Sequence, residues 1–139
     1  MTESDIQTTA TSGPDGARHT VERYVAFWNA ATPAEQRRLA AAVFADRISY
    51  HATVGVLRGV DALIDFRDRF AEHAPGYRFQ PRSTPQTHHD RARLPWELIV
   101  DGTSFATGTD VLELDDRGYV VAVTSFLDQA PEGFTHADH

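Results

Sequence analysis

The sequence predicts an α+β domain, with helices gathered on one face of an antiparallel sheet. Three observations carry this. Apolar residues recur with a helical period in three segments of the first half. They alternate with a period of two through most of the second half. The resulting order is helix, helix, strand, helix and then a run of strands, which is segregated rather than alternating.

The 139 residues suffice for one domain with one sizeable core, and 41% hydrophobic with 24% charged residues is an ordinary globular balance. The formal net charge of -7 argues against nucleic acid as a partner, because phosphate contacts need clustered Lys or Arg. Cysteine is absent, which removes a disulfide framework, a thiol nucleophile and any Cys-based zinc site. No apolar run approaches the roughly 18 residues of a membrane span, so no membrane partner is expected. The opening "MTESDIQTTATSGPDGA" is polar and lacks the basic-then-apolar order of a signal peptide. A cytoplasmic location is expected. Residues 1–18 and 129–139 read as flexible tails around a domain spanning 19–128.

In "HTVERYVAFWNA", Val21, Tyr24, Val25 and Trp28 form one buried helical stripe. "TPAEQRRLAAAVFAD" opens a second helix with a capping box, Thr32 to Glu35, and Pro33 at the first helical position. Leu39, Val43 and Phe44 give it an apolar side. "ISYHATVGVLRG" is β-rich and ends at Gly59. "VDALIDFRDRFAEH" is the third helix, with Leu63, Phe66 and Phe70 on one stripe. "YRFQPRST" is a short strand and "HHDR" a turn. In "ARLPWELIV", Ala92, Leu94, Trp96, Leu98 and Val100 share a face. Asp101-Gly102 is a hairpin turn signal, and the strands "SFATGTDVLEL" and "YVVAVTSFLD" follow, joined by Asp115-Asp116-Arg117-Gly118.

The order of elements, with "RYVAFWNA" early and "GTDVLELDDRGYVVAVTSFLD" late, resembles the NTF2-like superfamily and in particular its SnoaL-like branch. The resemblance covers roughly residues 19 to 128. It implies a cone in which three helices close a strongly curved sheet around an apolar pocket. It also implies homodimerisation through the sheet, and a hydrophobic small-molecule ligand. Within the superfamily the chain looks most like the ketosteroid isomerases. "VERYVAFWNA" resembles the helix that brings a tyrosine hydroxyl to the pocket, which assigns that role to Tyr24. "TDVLELDDRG" resembles the strand whose carboxyl donates a hydrogen bond to the substrate oxygen, which assigns that role to Asp110. Two departures stand beside this match. The isomerase base position falls on Ala52, with His51 next to it, and Arg67 replaces a second pocket tyrosine.

The residues carry their own argument. Alternation sets Asp110 on one face with Ala106, Gly108, Leu112 and Leu114. If that face is concave, a carboxyl sits in an apolar cone, where burial disfavours its charge and leaves it able to donate a hydrogen bond. The alternative is an ionised Asp110 at the mouth, solvated or paired with Arg67. Gly108 reads as room for a ligand beside Asp110. Trp28 and Trp96 read as pocket walls or as core. Tyr50, Arg67, Leu112 and Ser125 complete the expected substrate contacts. His51 is the candidate base by its ordinary pKa, although strict alternation turns it away from the face of Tyr50 and Ala52. His88, His89 and Asp90 read as a solvated turn; no metal site and no cofactor are expected.

The expected function is cofactor-free acid/base chemistry, of cyclase or isomerase type, on a carbonyl or polyketide-like molecule. Asp110, Tyr24 and His51 are its candidate catalytic groups. The alternative is a non-catalytic small-molecule-binding or dimerisation module. The face opposite Asp110, with Phe105, Thr107, Thr109 and Val111, is the expected dimer contact.

Overall fold

The structure is a computed structural model that describes residues 14–130. Its elements run α1 (Pro14–Asn29), α2 (Pro33–Val43), β1 (Phe44–Ala52), β2 (Gly55–Arg58), α3 (Val60–His73), β3 (Arg78–Pro81), β4 (Gln86–His88), β5 (Arg91–Val100), β6 (Thr103–Leu114) and β7 (Val120–Gln129). Helix α1 begins at Pro14, inside the stretch expected to be a tail, and β7 continues to Gln129. The rest of both expected tails, 1–13 and 131–139, lies outside the described residues.

The fold is α+β, as the period switch predicts. Seven strands form one sheet in the order β2-β1-β7-β6-β5-β3, with β4 pairing to β5. All pairs are antiparallel except β1 with β7, which runs parallel. The sequence gives no sign of that pair, because the two strands are far apart in the chain.

 The intervening 67 residues, 53–119, hold β2, α3 and β3 to β6, so local patterning carries no record of the pairing. Strand β4 is a second addition: Gln86–His88, whose last residue belongs to the expected "HHDR" turn, pairs with Arg91–Arg93.

Local signals close the elements where they stand in the sequence. Thr32 caps α2, its hydroxyl accepting from the Glu35 N–H at 3.2 Å, with Pro33 at the first turn. Helix α2 stops at Val43, so Phe44 opens β1 instead of belonging to the helix. Asp101 and Gly102 both take positive φ, 54° and 76°, the two-residue turn that suits the twist of β5 and β6. At the β6–β7 turn the Asp115 carboxylate accepts from the N–H groups of Arg117 and Tyr119, each at 2.9 Å.

The core lies between the helices and the inner sheet face. Tyr24, Phe27, Leu63, Leu94, Leu112 and Val123 are all sealed within it. Asn29, at the end of α1, holds the backbone of β3 from both sides. Its amide donates to the Phe79 carbonyl at 2.7 Å and its oxygen accepts from the Phe79 N–H at 2.9 Å. Register shifts interrupt β5–β6 at Leu98/Ile99 and β6–β7 at Thr107/Gly108, and such irregularities bend a sheet. The first of them skips Phe105. This corrects the expected outer face: Phe105 turns toward Phe70 of α3, ring centroids 6.1 Å apart, and leaves the row of Thr107, Thr109 and Val111.

Gly108 is also corrected. The space beside it is not free for a ligand, because a Cβ there would collide with the Trp96 indole and the Phe126 carbonyl oxygen. Gly108→Ala is therefore expected to destabilise the fold by roughly 1–3 kcal/mol through overpacking. Chemical denaturation checks this; an unchanged midpoint would mean that the indole moves aside without cost.

Candidate functional site

Asp110 is at the centre of the site. It sits mid-strand in β6 with 1% of its surface exposed. Its neighbours across the ladder are Leu94 on β5 and Ser125 on β7. The carboxylate is held by three elements. Tyr24 of α1 donates its hydroxyl to one oxygen at 2.6 Å, and Trp96 of β5 donates its indole N–H to the other at 2.8 Å. Ser125 on β7 stands directly opposite the same carboxylate, and it shares the cavity wall with Tyr50 of β1.

Burial pushes the Asp110 carboxyl above its ordinary range, and the hydrogen bonds from Ser125, Tyr24 and Trp96 oppose that rise. Burial is also the main reason that Tyr24 and Tyr50 are held well above the usual phenol range; the Asp110 charge adds to it. Both phenols are thus neutral donors at physiological pH. The buried Trp28 indole N–H has no hydrogen-bond partner.

In front of this cluster lies a cavity of about 170 Å³, bounded by α1, α3 and the inner sheet face. Its wall is mostly aromatic and aliphatic. Of the expected contacts, Trp28, Tyr50, Arg67, Trp96 and Ser125 line it. Ala52, at the position matched to the isomerase base, lines it too. Phe66, Phe70, Tyr77 and Phe79 belong to the same wall and were not among the expected contacts. The stripe Leu63, Phe66, Phe70 was the available signal for two of them.

Four expected site residues are elsewhere. Asp110 and Tyr24 bond to each other as the register required, but they stand behind the wall, not on it. Trp96 and Ser125 lie between them and the cavity. Leu112 is fully buried core. His51 is off the cavity wall; its Nε2 pairs with the Ser49 hydroxyl at 3.2 Å. The reason is the strand's alternation, since Tyr50 and Ala52 take the inner face and no bulge intervenes between Tyr50 and Ala52 in the ladder with β2.

Arg67 does not reach Asp110. Its guanidinium donates to the carbonyls of Trp28, at 3.2 Å, and of Ala30, and it pairs with Asp68 at 3.2 Å. It therefore closes the C-terminal end of α1, where free carbonyls need donors. Tyr77 adds its hydroxyl to the Trp28 carbonyl and lies under the Arg67 guanidinium, 5.7 Å from it to the ring centre. His88 and His89 form an exposed pair with Nδ1 atoms 3.2 Å apart. Among the described residues no group of three or more His, Asp or Glu is arranged to hold a metal ion.

A family profile for the SnoaL-like domain matches residues 21–129 of this chain. The chain belongs to the SnoaL-like domain family. A solved structure of a provisionally assigned isomerase of the SnoaL-like family from Agrobacterium tumefaciens is 31% identical, with a TM-score of 0.74 over 79% of this chain and 95% of that one. An NTF2-like protein of unknown function from an Exiguobacterium species is 22% identical, with a TM-score of 0.65 over 78% of this chain and 98% of that one. A provisionally assigned polyketide cyclase from Sinorhizobium meliloti is 16% identical, with a TM-score of 0.62 over 77% and 93%. The last two show likeness of fold alone. None of the curated proteins matches this chain.

In this SnoaL-like domain the displaced acidity of Asp110 has a consequence for stability. Its folded pKa lies above the ordinary 3.8, so folding favours the protonated form. That contribution is fully present below about pH 3.8 and is lost as pH rises through the folded value. Asp110→Asn cannot ionise. Denaturation of both proteins across pH 4 to 8 is expected to move in favour of the Asn variant as pH rises, by about 1.4 kcal/mol for each unit of displacement. A difference that stays flat with pH would mean an undisplaced carboxyl.

Proposed function

We propose that this protein binds a hydrophobic small molecule bearing a carbonyl or hydroxyl oxygen, and that it acts on it by cofactor-free acid/base chemistry of the cyclase or isomerase type. One observation carries the reading: an aromatic cavity whose wall includes Tyr50 and Ser125, with the buried Asp110 carboxyl next to Ser125 across the ladder. An apolar wall takes up the body of the ligand and a small number of polar groups orients it. A carboxyl with displaced acidity beside such a cavity is the usual mark of a functional site. The 31% identical SnoaL-like isomerase from Agrobacterium tumefaciens supports the same class of activity.

Steroid isomerisation itself is not expected. That reaction moves a proton between two carbons and needs a base on the cavity wall. Ala52 has no group to accept the proton, and His51 is turned to Ser49. The second reading, a module that sequesters an apolar ligand without reaction, is favoured by the same lack of a base. Self-association through the outer sheet face also belongs to this proposal: Phe126 is 55% exposed there, opposite Thr109 and next to Val111. Light scattering that gives a dimer at micromolar concentration supports it, and a monomer counts against it.

The ligand reading is tested by thermal shift and native mass spectrometry against aromatic polyketides and steroids. A ligand at about 100 times its Kd is expected to add about 2.7 kcal/mol of stability. Asp110→Asn should bind that ligand less well by roughly 1–3 kcal/mol, the cost of a disturbed buried hydrogen bond. Turnover of a Δ5-3-ketosteroid should be absent from the natural protein and should appear, if weakly, in Ala52→Asp. Robust turnover by the natural protein would mean that a base has been overlooked.

A further inference from the structure

We propose that Tyr50 is the residue that meets the ligand oxygen, and that Ser125 connects it to Asp110 as a hydroxyl relay whose direction follows the state of the carboxyl. The proposal rests on the cavity's being the ligand site. It differs from the reading carried by resemblance, in which Tyr24 and Asp110 touch the ligand themselves.

The geometry points to this in three steps. First, Tyr50 and Ser125 line the cavity while Tyr24 and Asp110 do not. Second, Ser125 is directly opposite Asp110 on β7 and shares the cavity wall with Tyr50, which sets one hydroxyl between the carboxyl and the phenol. A serine hydroxyl has one proton, so it can donate to one of these neighbours while it accepts from the other. Third, the remaining partners of Asp110 are fixed. Trp96 is a donor only, and Tyr24 has no acceptor within its described bonds other than Asp110.

Those limits leave two arrangements. With Asp110 ionised, Tyr50 donates to Ser125 and Ser125 donates to the carboxylate. The Tyr50 oxygen is then left with lone pairs toward the cavity and accepts from a ligand hydroxyl. With Asp110 protonated, its O–H donates to Ser125, Ser125 donates to Tyr50, and the Tyr50 proton is released toward the cavity for a ligand carbonyl. No covalent bond changes in either arrangement; only the hydroxyl protons reorient. The groups that act on Asp110 are Tyr24 from α1, Tyr50 from β1, Trp96 from β5 and Ser125 from β7, and none of them is a charged side chain. The switch therefore belongs to Asp110 alone. The ligand class that this suits is an aromatic or polycyclic molecule carrying a ketone or its enol, since the two states of the relay prefer the two forms.

The test has a ligand-free arm. The chain has 4 tyrosines, so ¹³Cζ labelling gives a spectrum that single Phe substitutions assign. In the natural protein the Tyr24 and Tyr50 signals should both step with the Asp110 titration, and Asp110→Asn should remove both steps. Ser125→Ala should leave the Tyr24 step and reduce the Tyr50 step by more than half. Ser125→Thr, which keeps the hydroxyl on a β-branched residue suited to a strand, should restore it. A Tyr50 step that is unchanged in Ser125→Ala would mean that only the field of Asp110 is felt, and the relay would be overturned. Absence of a Tyr24 step would overturn it as well, since Asp110 would then have a single state.

The ligand arm uses 2-naphthol as donor and 2-acetylnaphthalene as acceptor. Their affinity ratio should shift at least threefold toward naphthol as pH rises through the Asp110 midpoint, and should stay flat in Ser125→Ala. If neither probe binds, the ligand reading fails for this class while the tyrosine signals still decide the relay. If both bind with a flat ratio in the natural protein, the ligand reading stands and the relay falls.

Discussion

A carboxyl group with 1% of its surface exposed must find its partners inside the fold, and at Asp110 α1, β5 and β7 converge to supply them. The penalty for an unpaired buried carboxyl is large enough that this convergence constrains everything around it. Tyr24 must hold its hydroxyl toward β6, which fixes the rotation of α1 on the sheet. Trp96 must direct its N–H to the same point, which sets its ring across Gly108. Only a glycine permits that approach. The hydrogen bonds and the packing at this centre are thus one arrangement, and neither part is adjustable without the other.

The cavity follows from the same constraint. The Trp96 ring, anchored by its N–H, packs against Phe79 with ring centroids 5.5 Å apart, and Phe79 is itself tied to α1 through Asn29. Trp28 packs on Tyr50, Phe66 and Phe79. Large rings held at fixed angles leave a void between them because they have no freedom to collapse into it. Arg67 and Tyr77 secure the other side by taking the last carbonyls of α1, so the helix end beside the cavity is held without a ligand's help. The cavity is preformed by these bonds, which lowers the ordering cost of binding.

How much of this was legible in the sequence depends on how local each signal is. The capping box at Thr32, the Asp101-Gly102 turn and the alternation through Asp110 are short-range rules, and each stands in the structure at the residues that state it. The Tyr24–Asp110 bond spans 86 residues and was legible only through resemblance. What escaped was set by tertiary context. The bulge beside which Phe105 meets Phe70, the parallel pairing of β1 with β7 and the filling of the space at Gly108 have no period and no turn residue to announce them. The depth of the Asp110 pair is the most instructive case. Alternation tells which face a side chain takes, but not how far the neighbouring rings reach over it, and here Trp96 covers the carboxyl that a smaller residue would have left open.

That covering changes the chemistry available to the site. A carboxyl in direct contact with substrate can donate to it and receive from it with one geometry. A carboxyl one hydroxyl removed acts through Ser125, or through Ser125 and Tyr50, and those groups stay neutral across the physiological range because burial holds the phenol far from ionisation. With Asp110 protonated, the proposed relay gives the cavity a polarising donor in an apolar setting, where one hydrogen bond to a developing oxyanion is worth more than it is in water. Among the described residues of its wall, the position that the resemblance matches to the isomerase base is Ala52, which cannot accept a proton. On the proposed function, a donor without a base suits substrates whose own C–H is already acidic, such as a methylene between two carbonyls, more than it suits a simple ketone. A β-dicarbonyl chain of the polyketide kind has that acidity built in and needs chiefly to be folded and to have one oxygen held. The wall of fixed rings does the first and the Tyr50 hydroxyl the second, which is why a cyclase-type reaction fits this site better than a proton shuttle between two unactivated carbons.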